Sequence, residues 1–424
     1  MTARAAAGAA VGCGFVAAVA LAASARGGVH VLGLHAAGAT ALWLCLAASA
    51  PFELLVSAAA GVLQGNGRVG AAAVLRVAKA AGGIASAAGA LYVTRQGLLG
   101  VGIGTLATAA AAAALGWALV AALPPDGCPR RNVLAVRRDD DGDECAAESA
   151  EGGGDGQGDF PAPPAPFGAF LRKFAADGAD MLVRSAMLKL SFVAAMCVAR
   201  SLGEAAFDAH AVVTQLWMMT SYLADGFATA GTVLCPRIAA ARDRALVDGD
   251  GDTARSLSAA LRRACNRLLL AGVAVGVLAG VLFWCLEEEL QTLFLGSDEE
   301  AKDTLRTWLW PYLAAVQVLN SVVFVQDGLL AAGQWWKFIR NFFLVGTIAL
   351  FAPALAAGRA LAPAHSALGA VWVAKGVLNI WRALCAGWRI ETWLRDGERA
   401  CGAGDPESRP LLGGAGRGRS RAST

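Results

Sequence analysis

The chain has 424 residues, 56% of them hydrophobic and only 16% charged, with a mean hydropathy of +0.52 and a net charge of +3. A soluble domain carries about 25% charged residues, so this composition excludes a soluble globular protein and places the chain in a membrane. The small net charge and the lack of basic–aromatic interleaving exclude a nucleic-acid partner.

A membrane-spanning helix needs about 20 apolar residues. Ten such spans are expected, near Ala5 to Ala23, Ala39 to Leu63, Ala71 to Val93, Leu98 to Leu123, Met181 to Val198, Ala209 to Cys235, Leu268 to Leu286, Leu309 to Ala332, Phe338 to Ala357 and His365 to Ala386. Ala and Gly dominate the first four, which suits close helix packing. The start has a second reading: Arg4, an apolar run and Ala23-Ser24-Ala25 resemble a signal peptide. The ten cysteines form no C-x-x-C pair and sit mostly in apolar runs, where small buried side chains are expected rather than a metal site.

The spans divide four and six. Residues 1–123 form the first lobe and 181–400 the second. Between them, 124–180 carries an acidic run (Asp139 to Glu144), Glu151-Gly-Gly-Gly and Pro161-Ala-Pro-Pro-Ala-Pro, a disordered linker by composition. The Gly/Arg/Ser-rich tail, 401–424, is expected to be disordered as well. Basic residues flank the linker (Arg130, Arg131, Arg137, Arg138, Arg172, Lys173), follow the sixth span (Arg237, Arg242, Arg244, Arg255, Arg262, Arg263) and follow the tenth (Arg389, Arg395, Arg399). Ten alternating spans put all three segments on one side, which the positive-inside rule makes cytoplasmic, or stromal in a plastid.

One polar stripe is written twice. Gln215, Met218, Tyr222 and Asp225 fall at i, i+3, i+7 and i+10, and so do Gln317, Asn320, Phe324 and Asp327; a glycine follows each aspartate. Each set occupies one helix face. An Asp at the centre of a spanning helix costs about 2.5–3.5 kcal/mol on insertion scales, so such a group faces protein or a wet cavity and marks an ion or solute path. Asp225 and Asp327 are therefore candidates for a coupling cation or proton, or else buried acids paired with a base such as Arg184 or Lys189 of the fifth span. Arg184 and Lys189 would draw organic anions to this lobe or snorkel to the interface. Gln215, Tyr222, Gln317, Asn320 and Phe324, with Trp217, would line a cleft or fill ordinary core. Glu53 is the one acid in the first four spans. His210 reads as a structural hydrogen-bonder, and Trp335-Trp336 with Lys337 and Arg340 as an interfacial anchor.

The run Ala209-His210-Ala211, Gln215-Leu216-Trp217 and Asp225-Gly226-Phe227-Ala228 resembles the eighth helix of multidrug and toxic compound extrusion (MATE) transporters of the DinF-like branch. Val325-Gln326-Asp327-Gly328-Leu329-Leu330 resembles the tenth helix, and Pro51-Phe52 with Gly61-Val-Leu-Gln-Gly65 the fourth. Gly61-Val-Leu-Gln-Gly also echoes Gly328-Leu-Leu-Ala-Ala, as in a repeat fold. The resemblance implies an all-α membrane protein of two helical lobes facing each other across a cleft. Aligned on these motifs the first span matches the family's third, so the chain reads as N-terminally truncated by two helices. The missing first helix bears an acid central to cation coupling in DinF-like relatives, and Glu53 is the candidate substitute. Ala211 departs from the family's Gln.

The function implied is export of organic solutes or xenobiotics by antiport against H⁺ or Na⁺, with Asp327 favoured as the coupling acid because related branches place one on that helix. The expected partners are a small organic solute and the bilayer, and the expected state is a monomer. The alternatives are a non-transporting membrane remnant or interaction protein, and a lipid flippase of a related superfamily. No enzyme and no cofactor are expected: the Gly-Lys-Ser/Thr of a phosphate loop does not occur.

Overall fold

The computed structural model describes residues 3–25, 38–123, 167–306, 308–362 and 367–402, and every regular element among them is helical. The chain divides into two units, Met1–Pro161 and Ala162–Thr424.

The first unit holds α1 (Ala3–Ala23), α2 (Ala39–Gly65), α3 (Val69–Ala88, prolonged by a π-helical turn over Gly89–Val93) and α4 (Gly97–Ala122). Its core is built of Val56, Ala59, Leu63, Leu75, Ala112, Ala113 and Val120 from α2, α3 and α4. Small side chains let these helices touch. A Cβ on Gly116 would lie 2.9 Å from Leu75 Cδ2 and 3.0 Å from Ala59 Cβ, and one on Gly102 would lie 2.9 Å from Cys45 Cβ. The indole of Trp43 on α2 donates to Leu21 O of α1 at 2.8 Å.

The second unit begins with α5 (Phe167–Ser201), α6 (Glu204–Val247) and α7 (Gly251–Cys285). The short α8 (Glu287–Leu295) and α9 (Glu299–Arg306) follow, then α10 (Leu309–Ala332). The segment α11 (Trp336–Val345) runs through a π turn (Gly346–Phe351) into α12 (Ala352–Leu361), and α13 (Ala367–Gly402) ends the described chain. Buried residues make up 67% of the apolar stretch of α10 and 56% of that of α13, against 11% for α5, so α10 and α13 are central and α5 is peripheral.

The contact between α7 and α10 is unusually close because Gly272, Gly276 and Gly280 recur every four residues on one face of α7. A Cβ on Gly276 would come within 2.6 Å of Val318 Cα, and one on Gly280 within 2.6 Å of Ala314 O. Any larger residue would push the two backbones apart. The turn between α6 and α7 is closed by Gly249 at φ 76°, and Asp250 caps α7 by accepting from the Thr253 N–H at 3.0 Å.

Arg262 near the start of α7 reaches Glu391 and Glu398 near the end of α13, and Arg255 Nε donates to Cys401 O. The basic segments that follow the sixth and tenth expected spans thus lie at one end of this unit, as span alternation requires.

Three expectations change. Nine helices among the described residues are long and apolar enough to cross a membrane. The expected sixth span, Ala209 to Cys235, lies within the 44-residue α6, which is long enough but is not among the nine. Its His, Gln, Thr, Ser and Asp residues lower its hydropathy. The linker expected to reach residue 180 gives way to helix at Phe167. There Phe167, Phe170, Leu171 and Phe174 recur at i, i+3, i+4 and i+7, the pattern of an amphipathic helix. Finally, Cys235, Cys265 and Cys401 are buried as expected of small hydrophobes, but Cys13, Cys197 and Cys285 are exposed. The remainder of the expected linker, 124–166, and the tail from 403 lie outside the described residues.

Candidate functional site

A buried cluster of charged groups in the second unit lies where α5, α10 and α13 meet. Asp327 of α10 has a side chain only 12% exposed. One of its oxygens, Oδ2, accepts from Arg184 Nη2 of α5 at 2.5 Å and from Arg382 Nη2 of α13 at 2.8 Å. The Phe343 ring of α11 flanks both guanidinium groups, 5.0 Å from Arg184 Cζ and 4.9 Å from Arg382 Cζ. Arg382 Nη1 donates to Asn379 Oδ1 at 3.0 Å. A carboxylate shared by two guanidinium groups answers the cost of burying charge, because each ion gains a partner and directed hydrogen bonds.

One and two turns before Arg382 on α13 lie Asn379 and Lys375, both buried. The Lys375 ammonium sits over the Phe192 ring of α5, 3.0 Å from its centroid. Among the described residues it has no carboxylate partner. A small cavity of about 20 Å³ opens between Ser191 and Phe192 of α5, Phe324 of α10, and Lys375, Asn379 and Arg382 of α13. Of the three bases in this cluster, Arg184 and Arg382 share the carboxylate of Asp327 and Lys375 does not touch it.

The stripe expected on α10 is present, but its members do different work. Gln317 and Asn320 are fully buried. Gln317 Nε2 donates to Leu313 O at 2.8 Å. Asn320 Nδ2 donates to Ser221 Oγ of α6 at 3.1 Å and to Trp217 O at 3.2 Å. Rather than lining a cleft, these amides bind α10 to its own turn and to α6, because an amide in an apolar bundle takes the nearest carbonyl or hydroxyl. Phe324 does border the cavity, with Arg382 Cζ 5.9 Å from its ring centre.

The equivalent stripe on α6 points elsewhere. Gln215, Tyr222 and Asp225 are exposed, Tyr222 by 70%. The inward face of α6 carries instead Trp217, Thr220, Ser221 and Ala224. Asp225 is therefore not part of the Asp327 cluster. Lys189, the other proposed partner of Asp327, is also exposed, because five residues along α5 from Arg184 rotates it off the face that meets α10. His210 is buried, its ring 5.3 Å from Trp372 and its Nε2 3.5 Å from Thr214 Oγ1. In the first unit, Glu53 of α2 pairs with Lys79 of α3 while retaining 37% of its side-chain exposure. Trp335 packs edge-on against Trp393 and under Arg389, and Arg340 reaches Asp180 at 2.7 Å.

Sequence reasoning missed Lys375, Asn379 and Arg382. Their signal was present: i, i+4 and i+7 on one face of an apolar stretch, the spacing that singled out α10.

Comparison with solved structures places this architecture. It is similar to a MATE transporter in the bent conformation (TM-score 0.62, 14% identity, 93% of this chain and 78% of that one). It is also similar to the Vibrio cholerae MATE transporter VcmN in its bent form (TM-score 0.57, 16% identity, 92% and 78%). A third match is a MOP superfamily transporter from Pyrococcus furiosus, described as having a binding pocket of reverse polarity that suggests a different function (TM-score 0.63, 14% identity, 93% and 77%). No family model matches the sequence, and no curated protein matches it. The chain has the fold of the MATE transporters: an all-helical, multi-pass bundle integral to a membrane.

Proposed function

We propose that the chain is a MATE-type secondary carrier that moves a small organic solute across the membrane in exchange for H⁺ or Na⁺, with Asp327 as the coupling carboxylate. The observation that carries this reading is the position of Asp327, held by Arg184 and Arg382 at the junction of three helices. A cation or proton on this carboxylate cancels the charge that ties α5 and α13 to α10. The two guanidinium groups then lose their common partner, and the balance between two helix arrangements shifts. An ion binding equally to both arrangements would shift nothing, so coupling requires that the Arg–Asp–Arg contact differ between them. Asp225, exposed on α6, and Glu53, paired with Lys79, are the secondary candidates for ion coupling.

The test is solute flux in proteoliposomes under an imposed pH or Na⁺ gradient, using one fluorescent organic cation and one fluorescent organic anion. Asp327→Asn is expected to abolish gradient-driven flux, by about tenfold or more, whereas Lys189→Met leaves it intact. Gradient-driven flux in Asp327→Asn equal to the parent's would remove Asp327 from the mechanism.

A further inference from the structure

We infer that the cavity between α5, α10 and α13 is a binding site for a compact monovalent anion, either a free halide or the carboxylate head of a solute. Three observations on different atoms converge on it. Lys375, 5% exposed, has its ammonium against the Phe192 ring and, among the described residues, no carboxylate on it. Asn379 Nδ2 and Arg382 Nε are buried N–H donors with no acceptor in the structure. These side chains line the same cavity of about 20 Å³. That is room for about one water-sized species, which fits a chloride ion or a single carboxylate group and not a whole organic solute.

The polarity follows from the donor set. Both orphaned groups, Asn379 Nδ2 and Arg382 Nε, are donors, and a guanidinium group has no acceptor capacity. The acid nearest to them, Asp327, already accepts from Arg184 and from Nη2 of Arg382 through its Oδ2. A metal cation would meet like charge. A water molecule would satisfy hydrogen bonds and leave the second guanidinium of the Arg184–Asp327–Arg382 cluster without a counter-ion. An anion supplies acceptors for Lys375, Asn379 and Arg382 together and offsets the surplus of positive charge, the condition under which buried ions are tolerated. Phe192 and Phe324 wall the site and lower the local dielectric, which strengthens each contact. This inference goes beyond the carrier reading and does not rest on it, since a structural anion would satisfy the same donors.

The test is the melting temperature of the purified full chain in detergent, at fixed pH and ionic strength, with chloride, bromide, formate or gluconate as the anion. Gluconate is too large for the cavity and serves as the reference. A saturable rise of about 2–5 °C is expected in the parent with a compact anion. Lys375→Met should lose it and Lys189→Met should keep it. A rise with halide alone assigns the site to a free ion, and a rise with formate alone assigns it to a carboxylate head. If Lys375→Met fails to fold, Asn379→Leu takes its place, and bromide anomalous scattering from crystals of the parent locates the ion directly. Identical melting in all four salts, an undiminished shift in the variant that folds, or no bromide peak beside Lys375 would overturn the site. Halide-dependent melting with no solute flux would sink the carrier reading alone, and flux with no anion dependence would sink this inference alone.

Discussion

The two units solve the problem of packing helices in an apolar solvent by different means. The first relies on small residues throughout, and its prominent ion pair, Glu53–Lys79, keeps about a third of each side chain exposed. The second sets Phe343 against a buried Arg–Asp–Arg cluster and fills its core elsewhere with large side chains such as Trp217, Trp310 and Trp372. Glycines sharpen the contrast. Gly61 and Gly65 of α2 have nothing within 4 Å of an added Cβ, whereas Gly328, the residue their motif echoes, lies against the Ala228 backbone. Similar sequence signatures thus occupy open space in one unit and a backbone contact in the other. Smooth packing leaves a unit tolerant of change; a buried charge cluster makes it intolerant, because no partial set of partners is stable.

The largest break in this contrast should come from Asp327→Ala. It strands Arg184 and Arg382 and is expected to cost about 3–5 kcal/mol. Glu53→Ala, at a half-exposed pair, should cost about 0–1 kcal/mol. Thermal melting of the two variants in detergent checks both, and equal losses would erase the distinction between the units. Next comes Gly276→Leu, which drives a side chain into the α10 backbone and should cost about 1–3 kcal/mol or more by overpacking. The matched change Gly61→Ala meets open space and should stabilise by about 0.5–1 kcal/mol through helix propensity. Asn320→Leu should cost about 1–2 kcal/mol by removing the bonds to Trp217 and Ser221. The smallest effect is expected for Gln215→Leu on the exposed face of α6, which should melt within about 0.5 kcal/mol of the parent.

Much of this arrangement was legible from the residues. The i, i+3, i+7, i+10 spacing put Asp327 on the same face as Gln317 and Asn320, and Arg184 was a correct partner because a base inside an apolar span needs an acid. Spacing defines a shared face but not its direction, so the same pattern on α6 gave no hint that Gln215, Tyr222 and Asp225 are exposed rather than packed against α10. The buried role of Arg382 is masked in the sequence by Arg389, Arg395 and Arg399, which continue the same helix as an ordinary basic end. The helical start at Phe167 was hidden by the Pro-rich run before it, although four apolar residues at helical spacing follow. The division of labour along α10, with amides binding helices and the acid binding bases, depends on which atoms lie across the contact, and one helix's pattern does not encode that.

Peripheral α5 makes two charged attachments to its neighbours, Asp180 to Arg340 and Arg184 to Asp327, four residues apart and hence about one turn from each other. From Lys189 onward it is held mainly by side-chain packing around Ala195, with one hydrogen bond from Arg359 to Ser201. A rod clamped over one short stretch and only leaned upon elsewhere swings about its clamp. Releasing the Arg184 clasp would lengthen that lever, so a neutralisation confined to a single oxygen of Asp327 would be felt about five turns away, at the opposite end of the helix.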